Sequence, residues 1–208
     1  MVCSIDHPYH SLFTSDAEGH RTTVDPAYFQ EVLDLDNGTG KYDGATVIAL
    51  VKKWLTVRVK DMQFVLNTLK AQAQNPGSDE VYQRMDFAHI GLFGHSLGGA
   101  TSAQIARDRD DIDAVIDLNG TLFGEYLDYV DGKRVVNTTM YPVPLLIIYT
   151  DAPGRSIDAT NDPNGQNPVN RITAVDADAT IEQMNRTILA FFNVYLKGEG
   201  SFSAVGTH

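Results

Sequence analysis

Cysteine is almost absent from this chain. Cys3 is the only one in 208 residues, which excludes an intramolecular disulfide and any metal site built on a cysteine pair. Basic residues are also scarce, with 16 Lys and Arg against 27 Asp and Glu and a formal net charge of −11. No cluster of them is dense enough to grip a phosphate backbone or an anionic membrane, so nucleic acid is not an expected partner. No apolar run approaches the roughly 20 residues of a membrane span. The N-terminus lacks the basic stretch and apolar core of a signal peptide, so the sequence reads as soluble and cytoplasmic. No internal repeat or low-complexity tract is present. What remains is 43% apolar composition, enough for one α/β domain over residues 1–208 with a real core.

The most informative stretch is Ile90-Gly91-Leu92-Phe93-Gly94-His95-Ser96-Leu97-Gly98-Gly99-Ala100. An apolar run suited to a buried parallel strand passes through a sharp turn into small residues suited to a helix packed closely on a sheet. Gly94-His95-Ser96-Leu97-Gly98 is a G-x-S-x-G nucleophile elbow. A serine at the apex of such a turn needs strained backbone angles, and side chains at Gly94 and Gly98 are expected to collide with it or with the neighbouring strand. The helix beginning near Leu97 directs free N–H groups at the space above Ser96. The Leu97 N–H is therefore the candidate donor to an anionic tetrahedral intermediate.

The rest of the chain supplies the surroundings. Met1 to Ile5 reads as the end of a buried strand with Cys3 in the core, and it opens abruptly for a complete domain. Residues 6 to 43 read as loop with one short helix near Ala27 to Leu33. Apolar residues at helical spacing predict an amphipathic helix from Trp54 to Ala73, ended by Asn75-Pro76-Gly77. After the elbow come a helix from Leu97 to about Arg107 and a core strand from Ile112 to Asp117. Residues 121 to 142 are expected to cover one edge of the sheet, and Val143 to Asp151 is a further core strand. Ala152 to Val175, rich in Pro, Asn, Asp and Gly, reads as loop. A helix from about Asp178 to Lys197 buries Ile181, Met184, Ile188, Phe191, Phe192 and Tyr195, and Gly198 stops it. Strands alternating with helices predict a parallel sheet with helices on both faces, an α/β fold.

In such a sheet the reactive groups gather at the carboxyl ends of the strands. Ser96, Asp117 and Asp151 all lie there. A serine hydroxyl needs a base to take its proton, and the base, normally histidine, needs an acid to fix its tautomer and stabilise its cation. Either acid fits the chain order serine, acid, histidine. Either could equally cap the turn that follows it. After Asp151 the one remaining histidine is His208, the last residue. His95 should point away from Ser96 by strand alternation, His89 lies at the far end of the elbow strand, and His20 sits in a loop. His7 and His10 follow the first strand on the same sheet edge as Ser96. Taken singly, each histidine is better read as a surface or supporting residue than as the base, and the base stays unassigned, with His208 and His7 as its candidates. Tyr9, Phe123 and Tyr126 are candidate pocket aromatics, though such residues more often belong to a core.

Ile5-Asp6-His7-Pro8-Tyr9, the Val59 to Leu66 helix, the Gly94 to Ala100 elbow, Asp117 and the Ile188 to Gly198 helix together resemble the platelet-activating factor acetylhydrolase and dienelactone hydrolase-like branch of the α/β-hydrolases. The resemblance spans nearly the whole chain. It implies a calcium-independent hydrolase without cofactor or metal that cleaves short acyl esters, acetyl groups on phospholipids among them. It also favours Asp117 over Asp151 as the acid. Members of that branch begin with strands that carry a His-Gly oxyanion loop, and this chain starts after that point. They also carry a Gly-x-x-His segment before the last helix, where this chain runs from Asp151 to Ile181 without a histidine.

Two readings follow: a serine ester hydrolase, or a shortened, catalytically impaired or non-catalytic homologue that binds a small ester or a partner or is the product of a truncated gene. Without the preceding strand the sheet is left with an open edge, through which the chain could form a homo-oligomer.

Overall fold

The computed structural model of the chain describes residues 1–36, 40–151, 169–173 and 176–203. In chain order, a hairpin of β1 (Phe13–Ser15) and β2 (Arg21–Thr23) precedes helices α1 (Pro26–Asp36) and α2 (Gly44–Gln74) and the single turn α3 (Glu80–Gln83). Strand β3 (Gly91–His95), helix α4 (Leu97–Asp108) and strand β4 (Ala114–Leu118) follow. A second hairpin, β5 (Tyr126–Val130) with β6 (Lys133–Val136), leads to β7 (Leu145–Asp151), β8 (Val169–Thr173) and α5 (Ala177–Lys197). The main sheet has the order β3-β4-β7-β8 with every pair parallel.

Strand alternation divides the core in two. Val115 of β4 and Leu145, Ile147 and Tyr149 of β7 face α2 and α4, where they meet Leu55, Val59, Met62 and Leu66 with Ala100, Ala103 and Ala106. Ala114, Ile116, Leu146 and Ile148 face the other way, onto Phe191, Met184 and Ile188 of α5. Helix α2 begins where the Asp43 carboxylate accepts the Thr46 N–H at 2.8 Å, a side-chain N-cap. Asp176 caps α5 in the same way through the Ala179 N–H, and Gly198 ends it at φ 68°.

Several expectations are corrected. Met1 to Ile5 forms no strand, and Met1, Val2 and Cys3 are exposed. A β-forming sequence becomes a strand only beside a partner, and among the described residues β3 pairs with β4 alone. Helix α2 starts at Gly44 rather than Trp54, because Ile48, Val51 and Leu55 continue the buried stripe one turn at a time. The segment read as loop after Asp151 contains β8, which pairs with β7 from Ile147↔Val169 to Asp151↔Thr173. The expected loop before α1 contains the β1–β2 hairpin. Ile181 and Tyr195 of α5 are exposed, not buried.

Residues 121 to 142 pack on α2 and α4 rather than over a sheet edge. One ion pair fastens them there. Arg107 of α4 donates from Nε and Nη2 to the two carboxylate oxygens of Glu125, at 2.9 and 3.0 Å. It donates further to the carbonyls of Met140 at 2.7 Å and Thr139 at 3.0 Å, and lies 4.7 Å from the Tyr141 ring centroid. Glu125 is 3% exposed. A bidentate pair at that depth stabilises only while both partners are present. Arg107→Ala is expected to cost about 3–5 kcal/mol, since it leaves the Glu125 carboxylate buried without its cation. Urea denaturation of the two proteins measures this, with Arg107→Lys falling between them because it cannot make the bidentate contact.

Candidate active site

Ser96 stands where β3 gives way to α4, at φ 54° and ψ −120°. A non-glycine residue at that backbone conformation is strained, and strain of this kind collects at functional sites. Two backbone bonds hold it: the Ser96 N–H donates to the Leu118 carbonyl at 2.8 Å, and the Ser96 carbonyl accepts from Ala100 N–H at 3.1 Å. The side chain is exposed and does not cap the helix. Among the described residues the Ser96 hydroxyl makes no hydrogen bond. The first-turn N–H groups of α4, beginning with Leu97, have no acceptor within the helix. With the helix dipole they favour negative charge beside Ser96.

The glycines around the serine have different reasons. A Cβ on Gly94 would lie 2.3 Å from the Gly98 carbonyl carbon, so α4 crosses β3 at backbone contact. A Cβ on Gly99 would lie 1.9 Å from Oδ1 of Asp117. The expectation for Gly98 is corrected, since a Cβ there meets nothing within 4 Å. Gly99, not Gly98, is the second glycine required by packing. Nothing in the G-x-S-x-G pattern distinguishes the two.

Asp117 pairs in register with Gly94 and is fully buried, at 0% exposure. Its carboxyl lies beneath α4 between Gly99 and Gly120. Neither oxygen has a hydrogen-bond partner among the described residues. Burial pushes the carboxyl up to about 7, opposed only by the nearby Gly120 amide. The sheet therefore carries a largely neutral acid one layer below Ser96 at mildly acidic pH.

Asp151 ends β7, and its side chain lies outside the described residues, as does His208. His7 is 6% exposed, with Nδ1 2.9 Å from Oδ2 of Asp61 on α2. Burial holds its imidazole below the usual histidine range, and the bond to Asp61 opposes that shift. A neutral His7 donating to Asp61 is a fixed tautomer with an orienting acid, the internal arrangement of a general base. Sequence reading missed Asp61, because the 54 residues between the two hide the pairing. Of the other histidines, His10 stacks on Tyr28 at 3.9 Å. His20 pairs with Asp16 and His89 with Asp86. His95 is exposed. Tyr126 is buried in packing, whereas Tyr9 is 60% exposed.

No protein-family model matches the chain, and no curated protein does. Among solved structures it is similar to a ferulic acid esterase from Streptomyces cinnamoneus, with 20% identity and a TM-score of 0.56. The match covers 94% of this chain and 59% of the esterase chain. The fold is that of an α/β-hydrolase. This chain spans about 59% of that neighbour's length.

In an α/β-hydrolase the elbow presents its serine at the carboxyl edge of the sheet, and Ser96 stands at that edge here. A groove of about 350 Å³ along α2 and α4, lined by Lys52, Thr56, Lys60, Gln63, Gln104 and Asp108 among others, contains none of the candidate residues. One group of described residues has metal-ligand spacing, Asp16, Glu18 and His20 on the exposed first hairpin. No helix among the described residues is long and apolar enough to cross a membrane.

Two predictions test this geometry. Gly99→Ala is expected to destabilise by about 1–3 kcal/mol through overpacking against Asp117, while Gly98→Ala stabilises by about 0.5–1 kcal/mol through helix propensity; urea midpoints separate them. The folded Asp117 carboxyl retains its proton where the unfolded one, near 3.8, has lost it. Its contribution to stability is thus present below that value, declines as pH rises toward about 7, and is gone above. Asp117→Asn should remove this component, so the stability difference between variant and parent shifts toward the variant from pH 4.5 to pH 8.

Proposed function

We propose that the chain is a serine hydrolase acting on short carboxylic esters through an acyl-enzyme. The strained Ser96 ahead of the α4 N-terminus carries this reading. The Ser96 Oγ attacks the ester carbonyl carbon as its proton passes to a base, and the oxyanion that forms accepts from the Leu97 N–H. The alcohol then leaves with a proton, and water hydrolyses the acyl-serine. The similarity to a ferulic acid esterase supports ester chemistry. The resemblance to the acetylhydrolase branch points to small acyl groups, with phospholipid acetyl esters among the substrates. Asp117 and Asp151 are the acids offered by chain order, and His208 and His7 the bases.

A second reading, a non-catalytic homologue that binds an ester in the old site, is favoured by a specific observation. The Ser96 hydroxyl has no hydrogen-bond partner among the described residues, and His7, His20 and His89 are each paired with a carboxylate elsewhere. Intact-mass analysis after treatment with a fluorophosphonate probe separates the two. Hydrolase chemistry is expected to give one adduct per chain, lost in Ser96→Ala. No adduct on protein shown to be folded by its thermal transition supports the binding reading instead.

A further inference from the structure

We propose that Asn119, rather than either strand-end acid, is the positioning residue of the Ser96 site, in the place where a serine hydrolase orients its base. The proposal rests on the serine hydrolase reading. It begins with register. The last paired residues of β3 and β4 are His95 and Leu118, and the Ser96 N–H donates to the Leu118 carbonyl. One step further along each chain, Ser96 and Asn119 stand level at the carboxyl edge of the sheet. On its other side the Asn119 N–H donates to the Ile148 carbonyl of β7 at 2.8 Å. Its backbone is thus pinned between the nucleophile strand and the next strand across.

The backbone conformations agree with the register. Ser96 has φ 54° and Asn119 φ 52°. The other described non-glycine residues at positive φ, Tyr9 and Asp131, lie outside this sheet. Asparagine enters the left-handed region more readily than most residues, and Asn119-Gly120 is a turn signal in the sequence. Asn119 is half-buried, level with the exposed Ser96. Asp117 lies two residues earlier, paired with Gly94 and enclosed under α4 by Gly99 and Gly120. It sits below the elbow, whereas Asn119 sits beside it.

An asparagine in the orienting place does half of an acid's work. Its carboxamide oxygen accepts an imidazole N–H and fixes the tautomer, but it carries no charge to stabilise the imidazolium formed when Ser96 gives up its proton. In a serine protease triad the change from Asp to Asn at the orienting position lowers turnover by about 10⁴-fold. Ser96 in this chain is accordingly a weakly activated nucleophile, and one added charge is enough to strengthen it.

The test measures the rate of fluorophosphonate labelling of the whole chain between pH 5 and 9, by intact mass. In that reaction the Ser96 oxygen–phosphorus bond forms, the phosphorus–fluorine bond breaks, fluoride leaves and the hydroxyl proton passes to the base. Asn119→Asp is expected to label at least tenfold faster than the parent, with the midpoint of its rate–pH curve raised by about one unit, because a carboxylate favours the protonated base. Asn119→Gly, which tolerates the same backbone, should label more slowly at an unchanged midpoint. Labelling of Asn119→Asp where the parent shows none also supports the proposal. If the parent labels at Ser96 but Asn119→Asp is no faster, the proposal is overturned while the serine reading stands. If neither the parent nor Asn119→Asp labels, or the adduct persists when Ser96→Ala is added, both are overturned.

Discussion

The contact on which the rest of this structure depends is the backbone approach of α4 to β3 and β4. Gly94 touches the Gly98 carbonyl group, and Gly99 leaves room for the Asp117 carboxyl and nothing more. That approach closes the turn between β3 and α4 and drives Ser96 into its strained conformation. It also aims the first-turn amides at the space beside the hydroxyl. Strain at Ser96 is sustained because the neighbouring backbone bonds, to Leu118 and from Ala100, leave no other path for the chain. Exposure of Ser96 and burial of Asp117 are two sides of one packing event.

A second constraint fixes the far end of α4. The bidentate Arg107–Glu125 pair, with the carbonyls of Thr139 and Met140, ties the β5–β6 region to the helix that carries the elbow. Tyr141 reinforces the connection through its hydroxyl bond to the Ala103 carbonyl. Its phenol is pushed up chiefly by burial, so it remains a neutral donor. Helix α4 is thus clamped by glycine contacts at its start and by a buried ion pair at its end. Movement of the elbow relative to the sheet would have to break one or the other.

The order of strands and helices was legible because each core strand is a short apolar run between turn-formers, and each long helix repeats its apolar residues at helical spacing. Legibility failed where pairing decided the outcome. Met1 to Ile5 has a strand's composition but no partner strand among the described residues, while Val169–Thr173 has a loop's surroundings and pairs with β7. The elbow was legible as a motif. Its chemistry was less so, since Asp117 looks like a strand-end acid in sequence and is a buried carboxyl under α4 in space. The partnership of His7 with Asp61 joins a loop to a helix 54 residues away, and no local pattern announces it.

By itself, then, the sequence determined the α/β alternation and the elbow motif around Ser96, because these depend on residue types and on spacings within one element. The tertiary structure decided which residue stands beside Ser96, which glycine is required by packing and that His7 meets the distant Asp61. Those outcomes depend on the register between β3 and β4 and on the crossing of α4 over them. A shift of one residue in register turns a side chain to the other face of the sheet, and a single sequence does not record where that register falls.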